Sequence, residues 1–138
     1  MEDMEDRIVV DSDILVNFLR NKKEEVELLK RMSRQATLAT TDINAFELYY
    51  GAYKSSKQDE NLAATKGLLN SLLLLSTSED SMEMAGKIIT DLEKRGKPME
   101  IRDLLIGSIC LTNSIALLTG NRRHFENMEG LKIIETKL

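Results

Sequence analysis

The run Ile8-Val9-Val10 passes directly into Asp11-Ser12-Asp13. Three consecutive β-branched apolar residues fit a strand buried on both faces, the habit of strands in parallel sheets. This run stops at a carboxylate, a hydroxyl and a second carboxylate. In open parallel sheets, ligands bind in the crevice beyond the carboxyl ends of the strands, so Asp11 and Asp13 stand where chemistry would be placed.

The remaining pattern agrees with such a sheet. Short β-leaning segments recur at residues 36–40, 73–75, 115–119 and 131–134. Helical spacing fills the intervals: residues 14–19, 24–32, a stretch through 44–53 capped by Thr41 or Asp42, and 62–72 after a polar break at 55–60. Met82, Ala85, Ile88, Ile89 and Leu92 follow a fresh cap at Ser76-Thr77-Ser78, and Arg95-Gly96-Lys97-Pro98 ends that helix. Residues 101–113 are apolar nearly all round, which predicts a central buried helix with Asp103 as its exception. Strands alternating with one or two helices predict an α/β protein of three layers, its central, mostly parallel sheet of four to five strands covered on both faces. No repeat, low-complexity block or linker interrupts residues 7–138, which read as a single domain behind a flexible acidic segment at 1–6.

A chain of 138 residues is long enough to bury a substantial core without disulfides. Its single cysteine, Cys110, lies in an apolar run and reads as a buried, inert thiol in a protein of the reducing cytoplasm. The first residues lack the apolar core of a signal peptide or anchor. The longest apolar stretches, such as 68–75, fall far short of a bilayer span, so the sequence predicts a soluble protein with no membrane partner. A net charge of −4 argues against broad attraction to nucleic acid but allows a local site whose acids are neutralised by metal ions.

Three carboxylates share unusual settings. Asp11 ends a buried strand, Glu47 sits among Phe46, Leu48 and Tyr50, and Asp103 opens an apolar helix. Each alone has an ordinary explanation: a turn cap, a solvated acid, a residue complementing a helix dipole. Together they lie where a doubly wound topology would aim them at one crevice. Two like charges about 4 Å apart repel by roughly 4 kcal/mol at an effective dielectric near 20, and a third adds to that. Protons or a divalent cation would offset the repulsion, and an oxygen-lined site suits Mg²⁺ or Mn²⁺. One His and one Cys cannot build the usual shell of zinc. Glu100, three residues before Asp103, shares its helix face, either to hold a water of a metal shell or as a solvated first-turn acid.

Val9-Val10-Asp11-Ser12-Asp13, Phe46-Glu47-Leu48 with Gly51, Arg102-Asp103-Leu104-Leu105-Ile106-Gly107, and Leu118-Thr119-Gly120-Asn121 followed by His124-Phe125 form an ordered set. This set resembles the PIN-domain ribonucleases, and within them most closely the VapC toxins of prokaryotic toxin-antitoxin pairs. The resemblance implies a PIN-like fold, and it implies that Asp11, Glu47 and Asp103 are metal ligands. Asn121 takes the fourth place, where many relatives have Asp, so any second metal there would be held with less charge. Asp13 matches a small polar position supporting the first acid, Thr119 a hydroxyl before the fourth, and His124 a place where relatives often have Asp. The implied reaction is Mg²⁺- or Mn²⁺-dependent hydrolysis of RNA phosphodiester bonds, with a VapB-like antitoxin and a second copy of the chain as partners.

Other residues carry two readings. Arg122 and Arg123 would meet RNA phosphates at the crevice rim or simply face solvent. His124 is expected to pack or hydrogen-bond rather than serve as a general base. Phe46, Tyr49, Tyr50 and Tyr53 form one helical stripe that could enter the core, pair with a second subunit or receive an antitoxin peptide. Two alternatives belong to other classes. A noncatalytic PIN-like binding module would account for Asn121. A haloacid-dehalogenase-like phosphatase would use Asp11-Ser12-Asp13, but Leu15 stands where it needs a hydroxyl, and its later lysine and paired acids are not evident.

Overall fold

The structure, a computed structural model, describes residues 6–134 and 136. The acidic segment expected at 1–6 therefore lies, apart from Asp6, outside the described residues. In chain order the elements are β1 (Arg7–Val10), α1 (Ser12–Leu19), α2 (Lys23–Ser33), β2 (Thr37–Thr41), α3 (Asp42–Lys54) and α4 (Gln58–Asn70). There follow β3 (Leu73–Leu75), α5 (Glu79–Lys94), α6 (Ile101–Thr112), β4 (Ala116–Leu118), a 3-10 turn (Arg122–His124) and β5 (Ile133–Ile134).

The five strands run in the order β3-β2-β1-β4-β5, and every neighbouring pair is parallel. β1 occupies the centre because Val9 and Val10 are both fully buried, one on each face of the sheet. Val9 joins a core with Leu104, Ile106 and Cys110 of α6 and Ala85 of α5. Ile8 and Val10 join the opposite core with Ile14 and Leu15 of α1, Leu28, Leu29 and Met32 of α2, and Leu48 of α3. The expected three layers are thus present, with a wholly parallel sheet. From β1 the chain winds outward through β2 and β3, then returns to the other side for β4 and β5. The reversal lies between β1 and β4, and parallel sheets open a crevice at such a point.

Local sequence explains the helix starts that face this crevice. Thr41 caps α3 in a reciprocal capping box with Asn44, and Ser78 caps α5 in another with Ser81. One boundary differs from the sequence expectation: α4 begins at Gln58, inside the segment read as a loop over 55–60. Its first turn carries Asp59 and Glu60, whose charge favours a helix N-terminus and whose polarity disguised it. The last strand is shorter than 131–134, since the Leu131 N–H closes a turn onto the Met128 carbonyl instead of entering the sheet. Among the described residues no helix is long and apolar enough to cross a membrane.

Candidate functional site

Asp11 is the first residue beyond β1, and its N–H donates to the Leu118 carbonyl at 2.9 Å, so it is fixed at the seam between β1 and β4. Its side chain is fully buried. Oδ1 accepts from the Ser12 N–H at 2.7 Å, from Asn44 Nδ2 at 3.0 Å and from Arg102 Nη2 at 2.6 Å, while Oδ2 accepts from Thr119 Oγ1 at 2.8 Å. Burying a carboxylate is costly unless its oxygens find donors, and here both do.

Glu47 arrives from α3. Phe46 turns to solvent and Leu48 into the core, which leaves Glu47 half-buried beside α1 and α6. Its Oε1 accepts from Ser12 Oγ at 2.6 Å and from Arg102 Nη2 at 2.9 Å, and its Oε2 from Arg102 Nε at 2.8 Å. Asp103 comes from the first turn of α6 and is buried; its Oδ1 accepts from Arg102 Nη1 at 2.8 Å. Its Oδ2 lies 3.4 Å from Nδ1 of the exposed His124, an ion pair only when the imidazole is protonated.

The three acids that the sequence brought under suspicion therefore meet around one guanidinium. Repulsion among them was expected to call for protons or a metal ion, and the structure supplies a third answer, Arg102. Burial works against the charge of Arg102, but its hydrogen bonds to Glu47, Asp11 and Asp103 outweigh it and hold the group above the ordinary arginine range. The sequence reading missed this residue. Its signal was present: Arg102 is the one basic residue in an otherwise apolar helix, directly beside the suspected Asp103. Asn44 and Ser12 were missed as well. Asn44 is fully buried, accepts from Thr41 Oγ1 at 2.7 Å, and donates to both Asp11 and Ser12 Oγ, coupling the cap of α3 to the acid.

The supporting positions also converge. Asp13 Oδ2 accepts from the Gly120 N–H at 2.9 Å and Oδ1 from the Ile14 N–H at 2.9 Å, tying the turn after β1 to the turn after β4. Burial, and then the charge of Asp11, raise the pKa of Asp13 above the usual carboxylate value. Thr119 Oγ1 donates to Asp11 and accepts from the Asn121 N–H at 3.0 Å. Asn121 joins the site through its backbone, its carbonyl accepting from the His124 N–H at 3.0 Å, with its side chain exposed. Glu100, Asp103, Arg123 and His124 line a shallow cavity of about 250 Å³ at the mouth. Glu100 is exposed at the N-cap of α6, and Arg122 and Arg123 are exposed in the turn beyond Asn121. Phe46, Tyr50 and Tyr53 are 65%, 56% and 59% exposed, so the aromatic stripe does not enter the core of the chain. Phe46 and Tyr50 stack with ring centroids 6.1 Å apart, and Lys54 Nζ sits 5.0 Å from the Tyr50 centroid.

Among the described residues, no three His, Cys, Asp or Glu side chains stand ready to grip one metal ion. The donor set nonetheless fits a hard divalent cation. It is all oxygen, comes from three separate elements, and already surrounds a positive group, the guanidinium of Arg102.

Comparison with known proteins agrees with this geometry. The family model for the PIN domain matches residues 8–131. The chain is 28% identical over 127 residues to ribonuclease VapC2 of Haemophilus influenzae, covering 91% of this chain and 95% of that protein. It is 25% identical over 126 residues to the tRNA(fMet)-specific endonuclease VapC of Shigella flexneri, again covering 91% and 95%. Among solved structures it is similar to a chain of VapBC2 from Rickettsia felis bound to a promoter DNA fragment, with a TM-score of 0.86, 25% identity and coverage of 94% and 98%. It is equally similar to a chain of DNA-bound VapBC from Salmonella typhimurium, with a TM-score of 0.85, 25% identity and coverage of 96% and 99%.

Proposed function

From the premise that the chain belongs to the PIN domain family, we propose that it is a VapC-type toxin ribonuclease of a toxin-antitoxin pair. The observation that carries this reading is the meeting of Asp11, just beyond β1, with Glu47 of α3 and Asp103 of α6 around a single positive group at the switch point of the sheet. Carboxylates alone would repel an RNA phosphate, so the reading requires a divalent cation, Mg²⁺ or Mn²⁺, held by these three side chains. When bound, such an ion supplies Lewis acidity, lowering the pKa of a water and neutralising charge on the phosphoryl oxygens.

The chain's own residues do the positioning. Asn44, Thr119 and the Ser12 N–H fix the orientation of Asp11, and Ser12 Oγ fixes Glu47. Asp13 holds the Gly120 turn, and Thr119 Oγ1 accepts from the Asn121 N–H, so the backbone of Asn121 is fixed there and its exposed side chain would be the neutral fourth group. Glu100 lines the same cavity as Asp103 and would hold a water of the metal shell there, so Glu100→Gln should weaken metal affinity. Arg122 and Arg123 offer positive charge at the rim for the phosphates flanking the scissile bond. The exposed face of Phe46, Tyr50 and Tyr53 is a surface for a second copy of the chain, and a VapB-like antitoxin would cover the crevice. The setting proposed for this pair is the cytoplasm.

The test is RNA cleavage by the purified chain with Mg²⁺ or Mn²⁺, with chelator, and in Asp11→Asn and Asp103→Asn. Activity should need the ion and be lost in both variants while circular dichroism shows an intact fold. Cleavage at the parent rate in either folded variant would overturn the mechanism. Metal-independent binding of RNA without cleavage would instead identify a noncatalytic module.

A further inference from the structure

One guanidinium occupies oxygens of all three acids. Arg102 Nη2 bridges Asp11 Oδ1 and Glu47 Oε1 at 2.6 and 2.9 Å, Nε holds Glu47 Oε2 at 2.8 Å, and Nη1 holds Asp103 Oδ1 at 2.8 Å. The other donors to Asp11 are built into the fold: the Ser12 N–H at the start of α1, the buried Asn44 and the buried Thr119. Arg102 alone among them reaches the site on a long side chain that is partly open to solvent. A divalent cation binds carboxylate oxygens at about 2.1 Å, closer than any hydrogen bond, and needs the same lone pairs directed at it. Crowded onto the same oxygens, a guanidinium and a divalent cation would repel each other at close range, so occupancy by one opposes the other.

We propose that Arg102 is an internal counterion that holds the acidic cluster together until a divalent cation displaces it, so that guanidinium and metal bind the site in mutual exclusion. The inference rests on the metal reading of the site given above and adds that this chain carries its own competitor for the ion. Arg102 lets Asp11, Glu47 and Asp103 fold side by side without metal, and it lowers the affinity of the site by the fraction of time it spends seated there. Once displaced, its side chain remains tethered at the second residue of α6, next to Asp103.

Calorimetric titration of the metal-free full chain with Mn²⁺, in the parent and in Arg102→Gln, reads the competition directly. A guanidinium seated for nine-tenths of the time weakens binding about tenfold, so Arg102→Gln should bind Mn²⁺ tighter by at least about that factor. It should also melt at a lower temperature than the parent without metal, and recover on saturation. In the parent, the Arg102 Nε–H resonance should leave its hydrogen-bonded position as Mg²⁺ saturates the site. Equal or weaker Mn²⁺ binding by folded Arg102→Gln, alongside a parent that binds, overturns the inference and leaves the metal reading standing. An Nε–H signal unmoved at Mg²⁺ saturation does the same and decides the matter if the variant does not fold. Failure of parent and folded variant alike to bind Mn²⁺ overturns the metal reading and the inference with it.

Discussion

Thr119 Oγ1 donates to Asp11 Oδ2 at 2.8 Å, joining the residue after β4 to the residue after β1 across the point where the sheet changes direction. Both residues are buried, and this is the bond that serves the second oxygen of Asp11. Thr119→Val keeps the shape and removes both the donor to Asp11 and the acceptor of the Asn121 N–H. A buried acceptor left without a partner costs about 1–3 kcal/mol, so urea denaturation should show a loss of that size. Thr119→Ser should regain most of it, because the hydroxyl is what matters. An unchanged midpoint in Thr119→Val would mean that Asp11 does not depend on this bond.

Gly120 and Asp13 form a second link across the same seam. A Cβ at position 120 would stand 2.6 Å from Asp13 Oδ2, the oxygen that accepts from the Gly120 N–H. Gly120→Ala must therefore push the carboxylate away and lose the bond. In a background of Asp13→Ala the obstruction is gone, and the same change should cost much less. The two substitutions should be non-additive by roughly 0.5–3 kcal/mol in a double-mutant cycle of thermal or urea unfolding, the range for residues in contact. Simple additivity would show that the turn is held by something else.

Asp11 and Asp13 were legible in the sequence because they follow a buried strand, whereas Thr119 was read only through the family resemblance. Glu47 and Asp103 were legible for a related reason: an acid among aromatic or aliphatic neighbours must be explained by a site or by solvent. Arg102 was not. Its bonds span 55 residues to Glu47 and 91 to Asp11, and a long flexible cation leaves no periodic trace to say which of several acids it will reach. Asn44 hid behind its local role, since a residue three beyond Thr41 is accounted for by the capping box alone. The aromatic stripe was visible as a stripe, but only burial separates a core face from an exposed one, and Phe46, Tyr50 and Tyr53 are exposed.

Cys110 sits in the core beside β1, and its reactivity follows from that position. Burial pushes its thiol up to about 12, with the negative charge of Asp11 adding to the effect. At pH 8 the native chain should resist alkylation by iodoacetamide and become reactive only in denaturant. Stability should respond in the alkaline range. Between the ordinary value of 9.0 and about 12 the unfolded chain gives up the Cys110 proton while the folded chain keeps it. The native state then binds more protons, so stability falls as pH rises, by up to about 1.4 kcal/mol per pH unit. The difference in unfolding free energy between the parent and Cys110→Ala should carry this slope, since the other alkaline groups are common to both. A difference flat above pH 9.0 would mean that the thiol ionises in place.

Phe46, Tyr50 and Tyr53 lie exposed on one side of α3, while Glu47 and Leu48 of the same helix face the site and the core. Stacking of Phe46 on Tyr50, with Lys54 over the second ring, holds this face in order. A preformed aromatic surface of this kind contributes most when another protein desolvates it, and a second copy of the chain is always at hand. Sedimentation equilibrium at micromolar concentration should therefore find the parent dimeric, and Phe46→Asp with Tyr53→Asp monomeric. Both positions are exposed, so circular dichroism and melting temperature should change little. A parent that sediments as a monomer, or a charged variant that remains dimeric, would take the interface away from this face. Because Glu47 adjoins Phe46 on the same turn, a dimer built here would also bring two acidic crevices to neighbouring positions on one particle.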